Sequence, residues 1–259
     1  MKTPILIMMV FFATIPVMNA QTASEISKKA AATVELSNFE MTQTLSIFDA
    51  KGNQRVRQTT SKSLNSGDAT KTLIVFNSPA DVAGTSMLVY DYDSKEDDMW
   101  IYLPALRKSR RIVSTEKKQS FMGSEFTNSD MSKPNENEYN FKKLADKNIN
   151  GTVCYVIEMI PINKDIEKKY GFSKKVCYID KAKYLTQKVE YFDATGKITR
   201  EMVLSKYEPV NGVSGKYFAH RIEMLNQVTG RKSVITVDAI NTKAVIRDSD
   251  LSPVVLGAN

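Results

Sequence analysis

Residues 97–113 read Asp-Asp-Met-Trp-Ile-Tyr-Leu-Pro-Ala-Leu-Arg-Lys-Ser-Arg-Arg-Ile-Val, and residues 120–126 read Ser-Phe-Met-Gly-Ser-Glu-Phe. Side chains alternate along an extended strand, so Trp100 and Tyr102 share one face while Met99, Ile101 and Leu103 share the other. Pro104 ends the strand, because it has no N–H to give to a ladder. Arg107, Lys108, Arg110 and Arg111 follow, the last three on a second strand over Lys108–Val113. Phe121 and Met122 then place two large apolar groups beside Gly123 in an otherwise polar loop. Such a loop can fold over an apolar mouth as a lid. The alternative is a packed corner, with Trp100 and Phe121 as core and the arginines solvated.

Outward from this stretch the same β chemistry recurs. Strands are expected at Phe39–Phe48, from Gln54, and at Lys71–Phe76, Thr85–Asp91, Tyr139–Lys147, Cys154–Ile160, Val176–Ile179, Tyr184–Tyr191, Ile198–Tyr207, Tyr217–Leu225 and Ser233–Ile240. Three short turns, Asp49-Ala-Lys-Gly-Asn, Asp193-Ala-Thr-Gly-Lys and Gln227-Val-Thr-Gly-Arg, each put glycine where a hairpin needs φ > 0. One short helix is expected over Ser24–Ala32, with Ser24 as its cap. No spacing accommodates the helical crossover that parallel strands require, which excludes Rossmann-like and barrel α/β folds. A meander of eleven or so strands must curl or split to bury a face. Leu73-Ile-Val-Phe and Met87-Leu-Val-Tyr are apolar on both faces, so something covers the second face as well.

Residues 1–20 have the three-part pattern of a secretory signal peptide: Lys2, an apolar run from Pro4 to Val17, and a cleavage site at Ala20. The run is shorter than the roughly 20 apolar residues of a membrane span. Cleavage leaves 239 of the 259 residues, read as a single domain over 21–259 that is soluble in the periplasm. Without Lys2 the charge is +6, from 35 basic and 29 acidic residues. The cations are spread over almost every segment, which reads as a solvated outer face with transient membrane contact and no nucleic-acid partner. Cys154 and Cys177 both lie in strand-like surroundings. Paired as hairpin partners whose numbers sum to 331, they would form a structural disulfide; two free thiols or a redox pair are the alternatives, and no CxxC supports the last.

Chemistry-bearing motifs are missing from the sequence. There is no GxSxG, HExxH or phosphate-binding glycine loop. The one histidine, His220, sits in a strand-like stretch, and Asp97-Asp98 and Asp91/Asp93 fall in a charged turn. No enzyme activity, metal or cofactor is expected.

Three segments carry a resemblance: Pro79-Ala-Asp-Val-Ala-Gly-Thr-Ser-Met-Leu, Met99-Trp-Ile-Tyr-Leu-Pro-Ala-Leu-Arg and Ser120-Phe-Met-Gly-Ser-Glu-Phe. In order and spacing, together with the Cys154 strand, Tyr178-Ile-Asp-Lys and Tyr191-Phe-Asp-Ala-Thr-Gly-Lys, they resemble the LolA-like outer membrane lipoprotein-sorting proteins over residues 35–250. Where the family pattern has Asp, this sequence has Glu125. The resemblance implies an unclosed half β-barrel of about eleven antiparallel strands, capped by short helices or loops on its concave side. It implies a carrier for a lipid or lipoprotein acyl chain, or else an accessory module docking on an RND-type exporter. Leu88, Tyr90, Trp100, Tyr102, Leu103, Leu106, Phe121, Met122 and Phe126 are the expected apolar cavity and lid. Arg107, Arg110 and Arg111 are the expected contacts to a headgroup or partner.

Overall fold

The computed structural model describes residues 21–36 and 38–257; the expected signal peptide lies outside the described residues. The described residues form thirteen antiparallel strands in one open sheet, two more than the eleven of the family expectation. They are β1 Asn38–Phe48, β2 Gln54–Ser66, β3 Ala69–Ser78, β4 Ser86–Tyr92, β5 Asp98–Leu103, β6 Lys108–Arg111, β7 Tyr139–Ile149, β8 Thr152–Pro161, β9 Lys174–Asp180, β10 Thr186–Phe192, β11 Ile198–Pro209, β12 Tyr217–Asn226 and β13 Lys232–Asn241. The spatial order is β6-β5-β4-β3-β2-β1-β13-β12-β11-β10-β9-β8-β7. Two meanders are thus joined through β1 and β13, and the free edges are β6 and β7. Both edges carry exposed cations, Lys108, Arg110 and Arg111 on one and Lys142, Lys143 and Lys147 on the other, which disfavours edge-to-edge association. Among the described residues no helix is long and apolar enough to cross a membrane.

The three hairpin turns use local side-chain chemistry. Asp49 Oδ1 accepts from the N–H groups of Lys51 and Asn53, and Asp193 Oδ1 accepts from those of Thr195 and Lys197. Asn226 does the same for Val228 and Thr229. These Asx turns fix the reversal within a few residues of sequence. Bulges in β3, β7, β10, β11 and β13 bend the strands and promote curling of the sheet.

One face is covered by the N-terminal helix and by the connection between β6 and β7. Helix α1, Ala23–Val34, begins at Thr22 rather than Ser24. Thr22 Oγ1 accepts from the N–H of Glu25, whose carboxylate accepts the N–H of Thr22, a capping box. The helix buries Ala23, Ile26 and Ala30, a stripe at helical spacing. Residues 112–138, between β6 and β7, lie over the same face and bury Ile112, Phe121 and Phe126 in the largest apolar cluster. A second short helix, α2 Lys164–Tyr170, connects β8 to β9; Asn163 caps it and Gly171 ends it in the left-handed conformation. The opposite, outer face carries two smaller clusters. One packs Leu73 and Leu88 beneath Leu251 and Leu256 of the C-terminal segment, and the other joins Cys154, Val156, Val176 and Tyr178.

The expected Cys154–Cys177 disulfide is corrected by the register. In the β8–β9 ladder Cys154 opposes Asp180, and Cys177 opposes Ile157. Paired numbers therefore sum to 334, not 331. A three-residue difference is odd, so it sends the two thiols to opposite faces of the sheet. Cys154 belongs to the outer cluster and Cys177 to the covered one, and both are free.

Candidate functional site

The covered face concentrates the methionines. Met87, Met99, Met159 and Met224 lie in its core, with Met122, Met131 and Met202 packed against them. These are seven of the eight methionines that follow residue 20, and none belongs to either outer cluster. Thioether side chains are unbranched and polarisable, so a face built from them repacks at small cost around a variable apolar guest. Phe121 reaches down from residues 112–138 to the ring of Phe76, with centroids 5.7 Å apart. Phe121 and Phe126 are both buried, each contributing about 2 kcal/mol by area.

Polar contacts fasten this loop to the middle of the sheet. The Asn226 amide donates to Glu125 Oε2 at 2.8 Å, and the Glu125 N–H donates to Ser233 Oγ at 3.0 Å. Arg231 Nε stands 2.9 Å from Glu125 Oε1, at an angle that leaves its N–H without a true hydrogen bond. Arg200 donates to Asp130 at 2.9 Å and to the Glu125 carbonyl at 3.3 Å. Arg57 donates to the Met122 carbonyl. Anchors thus come from β2, β11, β12, β13 and the turn before β13.

A second polar system runs along the seam where the curled sheet leaves its ends unpaired. Lys117 Nζ lies 3.3 Å from Asp97 and 3.7 Å from Glu96. Lys169 Nζ lies 3.0 Å from Glu96 and 2.8 Å from Glu138. Lys117 is only 2 % exposed. Burial works against the Lys169 ammonium, but its bonds to Glu138 and Glu96 prevail and raise its pKa. Close by, Asp91 accepts the N–H of Lys133 at 2.7 Å. Burial, above all, pushes the Asp91 carboxyl up to about 7, with the neighbouring Asp97 charge adding to the shift.

The structure divides the expected cavity residues between faces. Phe121, Met122 and Phe126 sit on the covered face as expected. Leu88, Tyr90, Trp100 and Tyr102 do not: they pack on the outer face beneath the C-terminal segment. The Tyr90 hydroxyl donates to the Leu251 carbonyl at 2.7 Å, and Gly257 lies so close to the Tyr102 ring that a Cβ there would collide. The physical reason is parity. On β4 and β5 it is Met87, Val89, Met99 and Ile101 that face Phe121, one residue out of step with the expected set. Leu103 is half-buried, and Leu106 is 63 % exposed at the strand end. Arg107, Arg110 and Arg111 are exposed; Arg110 pairs with Glu116 at 2.7 Å and Arg111 with Asp98. Two clefts, of about 390 and 170 Å³, lie at the β11–β12 connection around Val213, Lys216, Phe218 and His220, and touch none of the methionines.

A domain assigned to the outer membrane lipoprotein-sorting proteins, from Vibrio parahaemolyticus, superposes with a TM-score of 0.82 at 31% identity, over 90% of this chain and 97% of that one. The chain belongs to this LolA-like lipoprotein-sorting family. A DUF1329 family protein from Desulfovibrio piger is similar at 25% identity and a TM-score of 0.80, over 92% of this chain and all of that one. A LolA superfamily protein from Nitrosomonas europaea shares the fold at 18% identity and a TM-score of 0.71. A family model described as "-like: Uncharacterized protein" matches residues 68–257. No curated protein matches. In this LolA-like chain, the segments that carry the family resemblance are split: Met99 and Phe121 meet on the covered face, while Trp100 and Tyr102 hold the C-terminal segment on the other.

Proposed function

We propose that this protein is a periplasmic carrier that takes an acyl chain, from a lipid or a lipoprotein, onto its methionine-lined covered face. The observation that carries the reading is the segregation of seven methionines to the covered face, five on the sheet and two, Met122 and Met131, on the loop whose plugs, Phe121 and Phe126, are themselves acyl-like in polarity. Withdrawal of residues 112–138 would expose that face, and the guest would replace the two phenyl groups. Each buried CH₂ contributes about 0.8 kcal/mol, so a chain of a dozen carbons is held by partition without covalent chemistry. The contacts around Glu125 are polar, so they can be exchanged for water when the loop lifts, whereas Met87, Met99, Met159 and Met224 stay on the sheet. The relative from Vibrio, assigned as a lipoprotein-sorting domain, supports the same class of cargo.

Delivery needs a docking end. Leu106 and Val113 are exposed apolar side chains flanked by Arg107 and Lys108. Arg110 and Arg111 are already paired, which leaves Arg107 and Lys108 as the cations for lipid headgroups or an exporter. Organic extraction of the purified mature protein, followed by mass spectrometry, tests the reading. A stoichiometric acyl species supports it, as does saturable uptake of an added fluorescent fatty acid. Protein that neither retains nor takes up an acyl chain would leave docking on a membrane exporter as the better reading.

A further inference from the structure

Among the described residues, the covered face contains one cation with neither an ion pair nor a hydrogen-bond acceptor. Lys175, on β9, is 8 % exposed and points into the apolar cluster between its cross-strand neighbours Met159 and Tyr191. Its Nζ stands over the rings of Tyr139 and Phe172, 5.1 and 6.0 Å from their centroids. Among the described residues no acceptor lies within hydrogen-bonding distance of it. Other cations on this side are committed: Arg200 to Asp130, Arg57 to the Met122 carbonyl, Lys117 to Asp97, and Lys169 to Glu138 and Glu96. The adjacent Lys174, one residue away, is paired with Glu158 at 2.8 Å. A buried ammonium without an anion is costly to maintain. Burial holds the Lys175 pKa below that of an ordinary lysine.

Resting on the acyl-carrier reading, we propose that Lys175 is the headgroup anchor of the covered face, and that the preferred cargo is an acyl chain ending in a carboxylate. The aromatic walls supplied by Tyr139 and Phe172 keep the ammonium available without neutralising it. A carboxylate entering with its chain along Met159 and Tyr191 would supply the missing anion. The charge-assisted bond formed in that largely buried, aromatic-walled surrounding selects fatty acid over the neutral alcohol of the same length.

The experiment compares laurate with 1-dodecanol, each displacing a neutral fluorescent acyl probe from the wild type, Lys175→Met and Lys175→Arg. Wild type should prefer laurate by about tenfold or more, the range of a hydrogen bond to a charged group. Lys175→Met should lose that preference while holding dodecanol within about threefold, since chain burial is unchanged. Lys175→Arg should restore part of it. Because Lys175→Met removes an unpaired buried charge, it should melt no lower than wild type, which guards against a trivial folding defect. Equal affinity of wild type for laurate and dodecanol, or a preference that survives Lys175→Met, would overturn the anchor and leave the carrier reading standing. Binding of neither ligand, nor of the probe, would defeat both.

Discussion

Lys169 Nζ, on the helix between β8 and β9, lies 3.0 Å from Glu96, in the turn between β4 and β5. Those elements belong to opposite ends of the sheet order, so this pair spans a gap that no backbone ladder closes. With Glu138 on the other side of Lys169, and Lys117 between Glu96 and Asp97, the charges alternate in sign along the seam. An open sheet can curl without closing if its ends are joined by side chains, and here they are.

Replacing Lys169 with Met should therefore cost more than an ordinary surface substitution. It leaves Glu138, only 14 % exposed, without its cation. Removing one partner of a buried pair costs about 3 kcal/mol. Urea unfolding should show that loss, with faster amide exchange in residues 114–118 and 164–170. A change below about 0.5 kcal/mol, typical of an exposed pair, would mean that the seam is held by packing alone.

Asp91 should give stability an unusual pH slope. Its pKa is about 7 in the folded protein against an ordinary value of 3.8. Between those values the native state binds more protons than the unfolded state, so stability falls as pH rises from about 4 to about 7 and stays lower above that. The full effect is on the order of 4 kcal/mol. Asp91→Asn can still accept from the Lys133 N–H, so it should be the more stable protein at pH 8 and similar to wild type near pH 4. Parallel melting curves for the two proteins from pH 4 to 8 would contradict this assignment.

Both thiols should be free. Alkylation of the denatured protein without reductant should add two groups, and in the native state Cys177, buried and with its pKa raised by that burial, should react slowly. A protein that takes no label until reduced would require a register different from the one in which Cys154 faces Asp180.

Glu125→Ala should loosen the loop. The substitution removes the contacts to Asn226 and Arg231 while keeping the N–H bond to Ser233, at a cost of about 1–3 kcal/mol for partners left buried. Amides of residues 119–128 should exchange faster, and a fatty-acid probe should bind with a higher on-rate. An unchanged on-rate would argue that cargo enters elsewhere.

The strands were legible in the sequence because their determinants are local. Asp49, Asp193 and Asn226 mark three reversals by their own hydrogen bonds, and alternation marks the segments between them. Facing was not legible on β4, where Met87, Leu88 and Val89 are all buried. A strand covered on both sides has no polar face to reveal its parity. The β8–β9 register was not legible for another reason: Lys164–Tyr170 forms a helix, signalled by Asn163 before it and Gly171 after it, so no tight turn fixes which residues oppose, and opposing the two cysteines sets the sum three too low. Lys117, Lys169 and Lys175 were hardest to find. Lysine is a surface residue by default, and only the curled sheet shows which ones it encloses.

The claim that the methionine-lined face holds the acyl chain is tested most directly by photo-crosslinking with a benzophenone-tipped fatty acid, followed by residue-level mass spectrometry. On β4 and β5 the two faces alternate residue by residue, so one peptide distinguishes them. Adducts at Met87, Met99, Met159 or Met224, competed away by unlabelled fatty acid, are the expected result. Competable adducts confined to Leu88, Trp100 and Tyr102, beneath the C-terminal segment, would place the chain on the outer face and contradict it.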